Sequence, residues 1–249
     1  MYIDEIKLTR PLPKSGYLHD LPVIRALRSV PLRLTRPVTI LVGENGSGKS
    51  TLLEGIAVAF GFNPEGGTRN FRFSTCDSHS KLGDLLQIGR TDYPKDGFFL
   101  RAESFYNAAS YIDELDRQTF IDSKLIDSYG GVSLHAQSHG ESFLALVQHR
   151  FSGRGLYLLD EPEAALSPMR QLVLLGEIDR LVRAESQLIL ATHSPMLMAY
   201  PGAQVLECTE RGLEETSYDR TMHFQLMRRF LNQPEKMLAE LLDSPDCAK

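Results

Sequence analysis

The sequence holds no tryptophan and only three cysteines, Cys76, Cys208 and Cys247, in 249 residues. Their number is odd, their spacings are long and no C-x-x-C pair occurs. Neither a disulfide scaffold nor a cysteine zinc site is expected, and a reducing cytoplasm suits the chain. Long apolar runs are missing as well. None approaches the roughly 18 residues that cross a bilayer, so no direct membrane insertion is expected. The opening MYIDEIKLTRPLP lacks a basic stretch followed by an apolar one, so no secretory leader is read there. Excess positive charge is also absent. Lys and Arg number 27 against 32 Asp and Glu, a formal net charge of -5. That balance argues against a protein that coats nucleic acid by charge alone. What is present is ordinary: 42% hydrophobic and 24% charged residues, enough for one sizeable core or two small ones.

Organisation follows from the apolar pattern. Strand-like pieces occupy residues 2–8 and 32–34, separated by a turn-rich stretch with Pro11, Pro13, Gly16 and Pro22. Lys7, Arg10, Lys14, Arg25, Arg28, Arg33 and Arg36 gather here, as surface charge or as contacts to a polyanion. Residues 38–42, 156–159 and 188–191 are short apolar runs of the kind buried on both faces of a parallel sheet, and Val205-Leu206 is a weaker one. Phe98-Phe99-Leu100 is a further strand candidate. Leu52, Leu53, Ile56, Ala57 and Phe60 recur at helical spacing. Residues 104–118 read as a helix, as does the segment around Phe143, Leu144 and Val147. Ser167-Pro168 reads as an N-cap and N1 pair, and residues 221–242 as two amphipathic helices broken near Pro234. Residues 61–97 are polar and Gly-rich. Strands alternating with helices predict an α/β domain with a mainly parallel sheet.

Gly43-Glu44-Asn45-Gly46-Ser47-Gly48-Lys49-Ser50 matches G-x-x-x-x-G-K-[ST] between a predicted strand and helix. The glycines let successive N–H groups point at phosphate oxygens, and the helix N-terminus adds partial positive charge. Lys49 can reach β- and γ-phosphates, the Ser50 hydroxyl can ligate Mg²⁺, and Thr51 can donate to an inner phosphate. After the strand at 156–159 come Asp160 and Glu161, at the strand end where such sheets collect ligands. Asp160 can hold Mg²⁺ and Glu161 can polarise a water that attacks the γ-phosphate. Ser138, Gly140 and a helix start after them suit a phosphate oxygen. His193 ends another strand, where it can contact a γ-phosphate or the attacking water. His135, His139 and Glu141 mimic metal-ligand spacing, but no further ligand is apparent to complete a zinc site.

The order of these parts resembles the ATP-binding cassette (ABC) ATPases. The resemblance is to their soluble, stand-alone branch of SMC-like and predicted AAA-type ATPases, with GENGSGKST, DEPEAALSP and ATHSP, and spans residues 43–195. It implies a P-loop NTPase fold: an ABC-type head of mainly parallel sheet with N-terminal antiparallel strands and a small helical subdomain. The chain is then one domain, 1–249, with a helical or variable insertion around residues 61–150. It further implies ATP and Mg²⁺ as ligands and a head-to-tail homodimer closed by ATP. Gly43, Asn45, Gly46, Ser47, Gly48, Lys49, Ser50 and Thr51 would bind the nucleotide. Ser138 and Gly140 would reach the γ-phosphate of the partner's site. Residues 164–167 would form the D-loop, and His193 the switch histidine. The catalytic set is Glu161, His193 and Lys49; the metal set is Ser50, Asp160 and a residue after residues 98–100, for which Glu103 is the candidate and Gln87, in a helix-like run, the alternative. Tyr17 either stacks on adenine or is a loop residue without a ligand.

Two motifs depart from the family pattern. Gln137, His139 and Glu141 replace the Leu, first Gly and Gln of Leu-Ser-Gly-Gly-Gln, and Ser167 stands where the D-loop usually ends in Asp. These bear on communication across the dimer rather than on nucleotide binding. With no heptads between the phosphate loop and Ser138, a long coiled-coil arm is not expected. The partner driven by ATP is left open: a nucleic-acid-linked role in repair or phage defence, a membrane transporter, or a nucleotide-gated binding module.

Overall fold

The computed structural model describes residues 1–12, 16–69, 80–102, 105 and 138–242. Its strands are β1 (Ile3–Leu8), β2 (Leu32–Arg33), β3 (Val38–Gly43), β4 (Leu86–Arg90), β5 (Asp96–Arg101), β6 (Gly155–Asp160), β7 (Gln187–Ala191), β8 (Gln204–Thr209) and β9 (Gly212–Thr216). Its α-helices are α1 (Tyr17–Asp20), α2 (Pro22–Ala26), α3 (Lys49–Phe60), α4 (His139–Arg150), α5 (Pro168–Arg183), α6 (Pro195–Met198), α7 (Met222–Asn232) and α8 (Pro234–Leu242). The main sheet has the order β5-β6-β7-β3-β8-β9. Every pair in it is parallel except the β8/β9 hairpin. A smaller antiparallel sheet, β2-β1-β4, packs beside it.

The apolar runs explain the layering. Successive side chains of a strand point to opposite faces, and in β3, β6 and β7 every residue is buried. Val38, Ile40, Val42, Tyr157, Leu159, Leu188 and Leu190 form one core with Phe143 and Val147 of α4 and Leu174, Ile178 and Leu181 of α5. Leu41, Leu156, Leu158, Ile189 and Ala191 form the other with Leu52, Leu53 and Ile56 of α3 and with Ile3, Ile6, Val23 and Ile24. Each such burial contributes about 1.5–3 kcal/mol.

Polar side chains at the starting edge of the sheet join the pieces. Gln187 is fully buried. Its Oε1 accepts from the Tyr2 and Ile3 amides at 2.7 and 2.9 Å, and its Nε2 donates to the Ile3 carbonyl at 2.8 Å. Gln204 does the same for the chain after β2, accepting from the Thr35 amide at 3.0 Å and donating to the Arg33 carbonyl at 3.2 Å. Asp96, at the start of β5, accepts from Arg150 and from the Tyr157 hydroxyl, both at 2.8 Å.

Two expectations change. The turn-rich stretch contains α1 and α2, because Pro22 occupies a first-turn position where its missing N–H is harmless. Gln87 lies in β4, not in a helical run; Leu86 is buried against the α3 side while Gln87 and Gly89 pair with β1. As expected, Ser167 and Pro168 stand at the N-cap and N1 of α5, although the Ser167 side chain makes no capping bond. The helix expected at 104–118 falls outside the described residues except for Phe105, which is buried against Phe143.

Replacing Gln187 by Leu strands two amides and a carbonyl in the interior. The expected loss is about 2–4 kcal/mol of unfolding free energy, read by urea denaturation.

Candidate nucleotide site

Because the main strands run parallel, their carboxyl ends share one edge. The registers show the alignment: Arg101 beside Asp160, Asp160 beside Ala191, Leu41 beside Ala191 and Gly43 beside Cys208. The loop after β3, the Asp160-Glu161 pair after β6 and His193 after β7 therefore meet, although they are far apart in sequence.

The loop after β3 wraps a cavity of about 260 Å³ lined by Asn45, Gly46, Gly48, Lys49, Ser50, Thr51, Glu161, Tyr17 and Leu21. Its curl depends on left-handed glycines. Gly46 and Gly48 have φ of 79° and 97°, a region that side-chain-bearing residues avoid. At Gly43 a Cβ would also lie 2.7 Å from the Cys208 carbonyl oxygen. Lys49 opens α3 and is 3% exposed. Its Nζ donates to the carbonyls of Gly43 at 2.8 Å and Glu44 at 3.0 Å, which uses two of its three donors. Burial pushes its ammonium below the usual lysine range, opposed by nearby groups including Glu161 and Asp160. A desolvated cation that also lines the cavity suits a polyanion. Burial drives the neighbouring Cys208 thiol up to about 12, so it stays neutral.

Glu161 has φ 48° and ψ 50°. A non-glycine residue held there costs on the order of 1–3 kcal/mol. Its amide is held by the Ala191 carbonyl at 2.9 Å, and its carboxylate lines the cavity. His193 Nε2 lies 3.6 Å from Glu161 Oε1. The His193 amide donates to Glu163 of the 3₁₀ helix Pro162–Ala165. Asp160 is 5% exposed. Arg101 bridges the carboxylates beneath the site, with Nε 3.4 Å from Asp160 and NH1 2.8 Å from Glu54 of α3.

Ser138 and Gly140 do not line this cavity. Ser138 opens α4, where Glu141 accepts from its hydroxyl at 2.6 Å and from its amide at 3.1 Å. Arg170 of α5 holds Glu141 at 2.9 Å. These contacts keep the Glu141 carboxyl below its usual range. A Cβ on Gly140 would lie 2.8 Å from the Ala165 carbonyl. The Ser-x-Gly segment is thus packed directly on the loop after Glu161. Tyr17 is brought to the cavity with its ring 57% exposed. Glu103 and His135 lie outside the described residues. None of the N-terminal cluster of Arg and Lys lines the cavity among the described residues.

Among the described residues no three His, Cys, Asp or Glu form a ready metal cage. Magnesium needs none: one hydroxyl, one or two carboxylates and substrate phosphates suffice. Ser50 on the cavity wall and the Asp160-Glu161 pair are donors of that kind.

A family model described as an AAA domain matches residues 23–125. A second AAA-domain model, whose description adds a candidate AbiEii toxin of a Type IV TA system, matches residues 126–199. CbiO1 from Clostridium perfringens, part of the ABC transporter complex CbiONQ, is 15% identical over 98% of this chain and 99% of its own, with a TM-score of 0.51. The chain has the P-loop NTPase fold of the ABC-type ATPases. An SMC head domain from Thermotoga maritima is 16% identical over 87% of this chain and 99% of its own, with a TM-score of 0.45. Curated proteins searched by sequence contain no match.

Sequence reasoning missed Arg101, Glu54, Glu163, Arg170 and His223. Glu163 lies inside DEPEAALSP without a role of its own there; the others sit in segments without a motif, and strand register or helix packing brings them to the site. Left-handed backbone at Glu161 likewise leaves no mark in a run reading Asp-Glu-Pro.

Gly140→Ala is expected to destabilise the fold by about 1–3 kcal/mol, since the added methyl meets a backbone oxygen. Urea unfolding of the variant against wild type measures it.

Proposed function

We propose that this chain binds ATP with Mg²⁺ and hydrolyses it at the γ-phosphate, working in the cytoplasm as an ATP-closed homodimer that drives or switches another protein. The observation that carries the reading is the shared cavity. Phosphate-loop amides, the buried Lys49 ammonium, Ser50 and the Glu161 carboxylate line one space, with His193 3.6 Å behind Glu161.

On this reading, the backbone N–H groups of residues 43–48 and the N-terminus of α3 cradle the phosphates. Tyr17, at the rim, stacks on the base. Ser50 and Asp160 would hold the ion, with Glu103 as a further candidate ligand. Mg²⁺ held there would supply charge neutralisation on the phosphate oxygens. Glu161 accepts a hydrogen bond from a water and takes its proton as the oxygen bonds to the γ-phosphorus. The bond from that phosphorus to the β,γ-bridging oxygen breaks, leaving ADP and phosphate. Lys49 stabilises the charge that collects on the phosphoryl oxygens, and His193 donates to them. Ser138 and Gly140 stand off the cavity of their own chain, as residues that serve a partner's nucleotide would. The exposed helices α7 and α8, which bury no residue, leave surface for another chain. No described helix is long and apolar enough to cross a membrane; if the partner is a transporter, as for CbiO1, other chains would supply the spans.

Glu161→Gln is expected to keep ATP binding, lower phosphate release by about 100-fold or more, and accumulate a dimer in ATP. Light scattering checks the mass; a monomer at saturating ATP would sink the dimer reading. Lys49→Ala is expected to abolish ATP binding in calorimetry. Wild-type protein that binds ATP tightly yet releases no phosphate would instead identify a nucleotide-gated switch.

A further inference from the structure

His193 does not stand alone. Its Nδ1 lies 3.0 Å from Nε2 of His223, in the first turn of α7, with the ring centroids 5.1 Å apart. That turn is firmly placed. Thr221 is fully buried, its hydroxyl accepts from the Phe224 amide at 3.3 Å, and the Met222 amide donates to Glu207 of β8 at 3.1 Å. Beyond it α7 is open, with Leu226 and Leu231 59% and 69% exposed. The contact between the rings is therefore a point at which the C-terminal helices touch the site.

A bond between two imidazoles needs one donor and one acceptor, and the surroundings decide which. His193 Nε2 and His223 Nδ1 are both buried with no hydrogen-bond partner among the described residues. If His193 donated from Nδ1 as a neutral ring, its Nε2 lone pair would face the Glu161 carboxylate. If His223 donates, His193 carries its proton on Nε2 and turns an N–H toward that carboxylate and the cavity behind it. The groups facing His223 are His193, Glu44 and Lys49 of the phosphate loop, and Glu207. Burial, then His193, holds the His223 ring below the usual histidine range, and the positive end of α7 acts the same way. A neutral donor is the form this environment favours.

We propose that His223 is a positioning residue whose Nε2–H fixes His193 in the tautomer that presents an N–H toward Glu161 and the phosphate cavity. The consequence for turnover rests on the hydrolytic reading above; the tautomer itself does not. At about pH 8, where an ordinary histidine is neutral, nitrogen-15 NMR of the nucleotide-free protein reads it. Wild type should show His193 protonated at Nε2 and unprotonated at Nδ1, and His223→Ala a mixture. In phosphate-release assays, His223→Ala should lower kcat about tenfold or more, the scale seen when the hydrogen-bond partner of a metal-ligating histidine is removed, with KM for ATP and the melting temperature unchanged. His223→Gln, whose amide nitrogen donates from a similar place, should recover most of kcat. Protonation of wild-type His193 at Nδ1, a His223→Ala variant with wild-type kcat, or a Gln variant as slow as Ala would each overturn the proposal. A wild type without phosphate release overturns the hydrolytic reading and leaves the NMR result to decide the tautomer.

Discussion

Burial of β3, β6 and β7 on both faces is the constraint on which the molecule depends. A strand covered on both sides cannot place a charged side chain along its length, because desolvation without a partner is too costly. Charge is therefore confined to the strand ends. Parallel pairing then collects those ends at one edge. Lys49, Asp160, Glu161 and His193 come together for that reason, not because any of them attracts the others over distance.

Part of the charge at that edge is met within the chain. Lys49 is held by two backbone carbonyls, and Arg101 lies between Glu54 and Asp160. Arg101 links three elements: the end of β5, the helix that begins with Lys49 and the strand that ends at Asp160. Because the partners are buried or nearly so, these ion pairs are shielded from salt, and their geometry is set by packing. Removing one partner would leave the others uncompensated, the costly case for buried charges.

Two regions treat apolar surface differently. Helices α3, α4 and α5 bury their apolar stripes against the sheet. Helices α7 and α8 have equally clear stripes but bury no residue. Among the described residues, the N-cap Thr221 and the first turn of α7, through Met222 and His223, are bound into the body. A cavity of about 690 Å³ opens between α7 and the loop after β7, lined by His193, Met196, Phe224, Met227 and Leu231 among others. The wall of that cavity is thus the back of the His193 loop.

Much of this was legible in the sequence. Continuous β-branched and leucine-rich runs announce strands buried on both faces, and G-x-x-x-x-G-K-S between a strand and a helix announces a phosphate loop, because local backbone geometry follows from local residue types. The antiparallel sheet was legible only in part: β1 and β2 have the pattern, but β4 reads as polar Gly-rich chain until β1 pairs with it. Glu161's left-handed backbone, the bridging of Glu54 and Asp160 by Arg101, the clamps made by Gln187 and Gln204, and the meeting of His193 with His223 carry no local signal. Sequence alone determined which residues could handle phosphate, since that depends on residue type at short spacing. Tertiary structure alone decided which polar groups face one another, since those distances arise only when strand register and helix packing close contacts between segments far apart in the chain.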